Sequence, residues 1–319
     1  MPVATLPADS PFDRRRYPDG LVLRSWTAAD GWPHRAYRWP AAGASRGSLL
    51  FQSGRADFIE KYLEACDHWH RGGWAVEGFD WRGQGGSRGA DADDAAPADD
   101  RTSFDPLIDD LAAFVADWQA RTPAPHVIVA HSMGAHVALR ACAERGVSPD
   151  ALVLVAPMLA LNTRRLPTWL ARLAIAGAVR GGRGRREAWK DDIDDPARQL
   201  RLTASRDRYE DSQWWKRERP GLGVGAPSWN WLAAAMTGAR RIARRGAVEA
   251  VTLPILLLEA GRDELVAAHA IESVARRLPD AELVRLPDAR HEILREADGQ
   301  RLAGLAAIDS FLARKAPPR

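Results

Sequence analysis

The sequence predicts an α/β protein: a mostly parallel central sheet flanked by helices and interrupted once by a helical insertion. Three observations predict it. Short strand-length segments at 48–52, 127–130, 152–156, 255–260 and 281–286 recur with helical stretches between most of them. The first four are predominantly apolar rather than alternating, as strands covered on both faces are. The rhythm breaks once, over 157–246. Within 158–246, 19 Lys and Arg face 9 Asp and Glu, a net of +10, so the rest of a chain with formal charge +3 carries −7. The same stretch holds six of the 13 tryptophans: Trp169, Trp189, Trp214, Trp215, Trp229 and Trp231.

Each element follows in order. Strands at 21–26 and 35–39 flank Ala28-Ala29-Asp30-Gly31, whose Asp-Gly pair suits a hairpin turn and adds antiparallel strands at one edge. After strand 48–52, residues 58–70 carry Ile59, Tyr62, Leu63, Ala65, Cys66 and Trp69 at helical spacing. Strand 74–80 leads into an acidic loop over 91–100. A helix over 106–119 then gathers Leu107, Leu111, Phe114, Val115 and Trp118 on one side. Strand 127–130, helix 134–144 and strand 152–156 complete the first half. Beyond the insertion come strand 255–260, a helix near 267–278, strand 281–286 and a last helix near 300–314. The expected division is a core of 1–156 and 247–319, with 157–246 inserted after the sixth strand as a lid. No repeat at solenoid periods is present.

Composition excludes several classes. With 319 residues, 46% of them hydrophobic, the chain is neither disordered nor a small disulfide scaffold. A net charge of +3 gives no argument for nucleic acid. Cys66 and Cys142 lie far apart, form no CxxC or metal-ligand spacing, and read as reduced thiols. Residues 1–16 are polar and lack an apolar signal-peptide core. The apolar run 166–179 is broken by Arg172 and falls short of the roughly 20 residues that span a bilayer. A cytoplasmic protein is expected, with peripheral membrane contact open.

The chemistry centres on Ala130-His131-Ser132-Met133-Gly134, between an apolar strand and a helix. A serine at such a turn is forced into a strained conformation that exposes its hydroxyl at the sheet edge, and small residues must flank it. The pattern is G-x-S-x-G with Ala130 at its first position. A serine hydroxyl needs a base to take its proton and an acid to orient that base. Asp263, in Gly261-Arg262-Asp263-Glu264 after strand 255–260, and His291, after strand 281–286, supply both in the order serine, acid, histidine. Glu264 competes for the acid, and His136, four residues past the serine, competes for the base; a buried structural histidine suits His136 better. Oxyanion donors are expected from the backbone N–H of Met133, at a helix start, and of Arg55, in the loop Gln52-Ser53-Gly54-Arg55.

Other motifs fail. His291-Glu292-Ile293-Leu294-Arg295 lacks the second histidine of HExxH, and Gly181-Gly182-Arg183-Gly184 lacks the Lys-Ser/Thr of a P-loop. Asp67-His68-Trp69-His70 reads as a helix end rather than a metal site. No metal and no cofactor are implied.

These residues resemble the α/β-hydrolase superfamily, nearest its monoacylglycerol lipase and bacterial lysophospholipase branch (serine aminopeptidase S33-like hydrolases). The resemblance runs from about residue 19 to 311. Besides the elbow it rests on Phe79-Asp80-Trp81-Arg82-Gly83-Gln84-Gly85-Gly86-Ser87, similar to the D-x-R-G-x-G-x-S loop of that branch. Ala156-Pro157-Met158-Leu159, the segment 202–209, Gly261-Arg262-Asp263 and the segment 289–294 extend it. Ser53-Gly54 stands where the branch has His-Gly. A serine at 132 separates the chain from the dehalogenase and epoxide hydrolase branches, which need aspartate there.

The resemblance implies a cofactor-free serine hydrolase acting on a small-molecule ester or lipid, a monoacylglycerol or lysophospholipid. In the inserted lid, Leu166, Trp169, Leu170 and Leu173 at helical spacing would line an acyl pocket, rest on a membrane surface, or simply pack on the core. The rivals are a small-ester carboxylesterase or short-peptide aminopeptidase on the same fold, and a silent receptor or scaffold. Such silent proteins typically lose a member of the triad, and none is missing. The sequence carries no sign of oligomeric state.

Overall fold

The computed structural model describes residues 12–88, 101–163, 166–190 and 196–319. The acidic loop expected at 91–100 lies outside the described residues.

Eight strands form one sheet: β1 (Val22–Thr27), β2 (Pro33–Trp39), β3 (Gly47–Gln52), β4 (Trp74–Phe79), β5 (His126–His131), β6 (Ala151–Val155), β7 (Ile255–Ala260) and β8 (Ala281–Leu286), in the order β1-β2-β4-β3-β5-β6-β7-β8. The β1–β2 and β2–β4 pairs are antiparallel and all others parallel, so the leading hairpin does form an antiparallel edge. Its turn closes where the Ala28 N–H donates to Trp32 O and Gly31 takes φ of +86°. Such a φ costs glycine little.

The apolar central strands follow from two-sided burial. Leu50, Ile128, Leu152 and Leu257 meet α2 (Asp105–Arg121) and α3 (Met133–Arg145) on one face. Leu49, Val127, Val153 and Leu256 meet α1 (Leu63–Arg71) and α9 (Asp298–Lys315) on the other. Each fully buried side chain of this kind contributes about 1.5–3 kcal/mol.

Boundaries shift in two places. The helix expected over 58–70 begins as a 3-10 turn, Ile59–Tyr62, where Asp80 Oδ1 accepts the Ile59 N–H, and continues as α1. The final helix starts at Asp298, because the Glu296 carboxylate accepts the Ala297 N–H and sets its first turn earlier than expected. Asp67-His68-Trp69-His70 closes α1, with His68 on Asp309 and the His70 ring stacked on Trp39.

Between β6 and β7 lie α4 (Thr168–Ala178), α5 (Pro196–Leu202), α6 (Arg206–Glu218) and α7 (Trp229–Ala243). Their attachment is uneven. Arg208 of α6 grips Glu64, Asp298 and the Glu296 carbonyl, and the Glu292 N–H donates to Leu202 O at 2.8 Å. α7 lies on α3, with Gly238 packed against His136. α4 buries only Ile175. Among the described residues no helix is long and apolar enough to cross a membrane, and no group of three His, Cys, Asp or Glu could hold a metal ion.

Candidate active site

The turn from β5 into α3 puts Ser132 at φ 52°, ψ −113°. It is held there by its N–H on Val155 O (2.9 Å) and by its carbonyl, which accepts from His136 N and Met158 N. Small neighbours are a steric necessity. A Cβ at Gly134 would stand 2.3 Å from Ser53 O, and one at Gly54 would stand 3.1 Å from Ser132 Cβ. Ala130 is tolerated because it is still in β5, paired with Gln52 and Leu154, with its methyl in the core. Among the described residues three non-glycines have positive φ, and all lie at this rim: Ala56, Ser132 and Ala156. Strain concentrated at one edge of a sheet marks a working site.

The structure brings together the three predicted side chains. His291 Nε2 lies 2.9 Å from Ser132 Oγ, and its Nδ1 lies 2.6 Å from Asp263 Oδ2. The other Asp263 oxygen accepts the N–H groups of Leu265 (2.8 Å) and Val266 (3.0 Å), so the carboxylate is fixed at both ends. Burial works against charge on Asp263, but His291 and those two amides outweigh it and hold its pKa below the usual range. Burial likewise opposes charge on His291, yet Asp263 raises it above an ordinary histidine.

The competitors separate cleanly. Asp263, not Glu264, meets His291; Glu264 lies on the cavity wall. His136 is buried under the elbow, with Nδ1 on Met158 O and Nε2 unpartnered against Gly238; burial and Arg140 push its pKa down to about 3. It is a neutral structural histidine.

Met133 opens α3, and Arg55 lies in the loop after β3, next to Gly54, which packs against the serine. What sequence reasoning missed is how that loop is held. Trp81 Nε1 donates to Ser53 O at 2.7 Å, Gln84 Oε1 accepts the Ala56 N–H at 2.6 Å, and the Gly54 N–H donates to Asp57 Oδ2 at 2.8 Å. The segment 79–87 is thus a buttress for the loop that carries Arg55. Its Asp80 accepts from Ile59 N, Gly86 N and Arg35; burial lifts its pKa to about 6 against the pull of Arg35. The signal was present in the motif, where glycines and a glutamine flank a buried aspartate.

Before this rim opens a cavity of about 700 Å³, walled by the core and the insertion. One expectation is corrected here. Leu166 lines the cavity, but Trp169, Leu170 and Leu173 do not; they are 61%, 40% and 60% exposed. Ala171, Ala174 and Ile175 take the inner face of α4 instead. The helix is apolar nearly all round, so its periodicity could not say which side faces in. The cavity is also lined by Arg198, Arg201 and Lys216 from α5 and α6 and by Leu232 and Met236 of α7.

The sequence profile of the family described as "Serine aminopeptidase, S33" matches residues 43–298. The chain belongs to that family. Lysophospholipase L2 of Escherichia coli K12 is 30% identical over 323 aligned residues, covering 92% of this chain and 88% of that one. The probable lysophospholipase L2 of Haemophilus influenzae is 24% identical, with 84% of each chain covered. Among solved structures, a soluble variant of monoglyceride lipase from Saccharomyces cerevisiae superimposes with a TM-score of 0.74 at 16% identity, over 98% of this chain and all of that one. The fold of this S33 family member is the α/β-hydrolase fold, and the Ser132–His291–Asp263 array lies at the carboxyl ends of its parallel strands.

Proposed function

We propose that the chain is a serine ester hydrolase that removes the acyl group of a single-chain lipid, a lysophospholipid or monoacylglycerol. The hydrogen-bonded chain Ser132–His291–Asp263 carries this reading. His291 Nε2 takes the proton as Ser132 Oγ attacks the ester carbonyl, while Asp263 orients the ring and stabilises its cation. The backbone N–H groups of Met133 and Arg55 receive the oxyanion. Collapse expels the alcohol, protonated by His291. Water, deprotonated by His291, then releases the fatty acid and restores the serine. Nothing in this sequence of steps calls for a metal or cofactor.

The insertion, proposed as a lid over 157–246, supports the substrate class. Leu166, Ile175, Leu232 and Met236 offer an acyl chain an apolar wall, and Arg198, Arg201 and Lys216 offer charge that suits a phosphate-bearing headgroup. The lysophospholipase relatives agree with this assignment. The outward apolar side chains of α4 would rest on a lipid surface.

A hydrolysis panel tests this: palmitoyl lysophospholipids, monopalmitoylglycerol, nitrophenyl esters from acetyl to decanoyl, and aminoacyl amides. Lysophospholipid turnover should lead. A preference for acetyl over decanoyl esters would retire the lipid reading, and faster release from aminoacyl amides would replace it with a peptidase.

A further inference from the structure

The loop that presents Arg55 follows β3 and the loop that presents His291 follows β8, far apart in the sheet order. One side chain joins them. Lys61 Nζ donates to Asp57 Oδ1 on the first loop and to Glu292 Oε1 on the second. The far oxygen of Asp57 accepts the Gly54 N–H at 2.8 Å and the Tyr62 hydroxyl at 3.0 Å. The far oxygen of Glu292 accepts from Arg295, and Glu292 directly follows His291. The side chains of Lys61, Asp57 and Glu292 are 9%, 3% and 2% exposed.

Such a group is costly to bury. Removing a lysine and two carboxylates from water is repaid only by close mutual contact, and apolar side chains of similar size would fill the same space with no desolvation cost. Four charges are kept here at the rim, balanced as Asp57 and Glu292 against Lys61 and Arg295.

We propose that Lys61 is a positioning residue that locks the Arg55 loop to the His291 loop, so that the oxyanion donor and the base meet one substrate in a fixed mutual geometry. The proposal rests on the serine-hydrolase reading above. An ångström of relative drift between donor and base is enough to cost about a hundredfold in rate. Charge gives a second consequence. The groups facing His291 are Asp263 beyond β7, Glu292 on its own loop, Asp57 and Lys61 from the β3 side, His131 of β5, and Arg295. Asp263, Glu292 and Asp57 all pull the imidazole pKa up, so loss of the lysine leaves that pull less compensated.

The test uses K61M, K61R and the charge-neutral pair D57N/K61M on the full chain, with nitrophenyl butyrate as substrate and thermal melting as the control for folding. In D57N/K61M, Glu292 keeps Arg295 and an amide oxygen at position 57 still accepts the Gly54 N–H, so this pair folds even where K61M alone does not. We expect kcat to fall ten- to a hundredfold with KM within twofold, and affinity for an alkyl boronic acid to fall in step. In K61M the acid limb of kcat/KM should also move to higher pH, and K61R should restore most of the rate. A folded K61M or D57N/K61M with kcat within twofold of wild type, or a loss confined to melting temperature, overturns the proposal. Folded wild-type protein that neither hydrolyses esters nor reacts with a fluorophosphonate overturns the serine reading itself, a distinct result.

Discussion

The carboxyl rim of the sheet and the insertion between β6 and β7 are built on opposite terms. At the rim each side chain of the proposed array sits one to five residues beyond a parallel strand: Ser132 after β5, Asp263 after β7, His291 after β8. The ladder fixes where those strands end, so the groups can be held within hydrogen-bond reach of one another. Among the described residues the insertion forms only isolated bridges and no strand ladder. Its helices are set by long side chains reaching the core, such as Arg208 on Glu64 and Asp298, and by α7 lying on α3. The proposed function assigns chemistry to the ladder-anchored rim and substrate selection to the insertion.

The sharpest way to break this comparison is to remove the nucleophile. Ser132→Ala should leave the fold and melting temperature unchanged and cost at least about 10⁴-fold in ester turnover, with fluorophosphonate labelling abolished. Retained turnover would move the chemistry elsewhere.

Next comes a change at the rim that touches no reacting group. Gly134→Ala places a methyl 2.3 Å from Ser53 O and 2.9 Å from Gln52 O, both backbone atoms with nowhere to go. The Arg55 loop must shift. Overpacking of this kind costs about 1–3 kcal/mol of stability, and the displaced oxyanion loop about a hundredfold in kcat. Denaturant melts and kinetics on a nitrophenyl ester measure both; a variant that loses stability but keeps kcat would show that the loop tolerates movement.

A third test is the acid limb. In the proposed mechanism His291 acts as a base only when neutral, and Asp263, overcoming burial, holds its pKa above the ordinary histidine value. The sign follows directly. As pH falls through that raised pKa the imidazole is protonated and kcat/KM drops about tenfold per unit. The bend should lie above about 6.5. A bend well below it would mean that the Asp263–His291 contact is not maintained in solution.

The two regions also differ in how legible they were. Predominantly apolar strands, such as 127–130 and 255–260, announced the parallel sheet, and the order Ser132, Asp263, His291 at strand ends announced the array. Even the Ala130 departure is intelligible, because that position never leaves β5. The lysine-centred charge cluster was harder to read. Asp57 and Lys61 belong to the segment after β3 and Glu292 to the segment after β8, and the two meet only because the sheet folds both strand ends onto one rim. The insertion was least legible of all. In Thr168–Ala178 nearly every residue is apolar, so the large side chains gave no phase, and small Ala171 and Ala174 turned out to face the cavity.

That outward face gives the smallest expected effect and the most telling contrast. Trp169 and Leu173 are 61% and 60% exposed, do not line the cavity, and are followed in sequence by Arg180, Arg183, Arg185 and Arg186. Apolar side chains flanked by cations favour the boundary of an anionic lipid surface. Trp169→Ser combined with Leu173→Ser should therefore leave nitrophenyl butyrate hydrolysis within twofold of wild type, because the rim is untouched. Turnover of lysophospholipid in anionic vesicles should fall severalfold, chiefly through weaker binding, and the deficit should shrink when the substrate is presented as monomer. Equal losses on soluble and vesicular substrate would mean that α4 acts on the site through the fold rather than on the membrane.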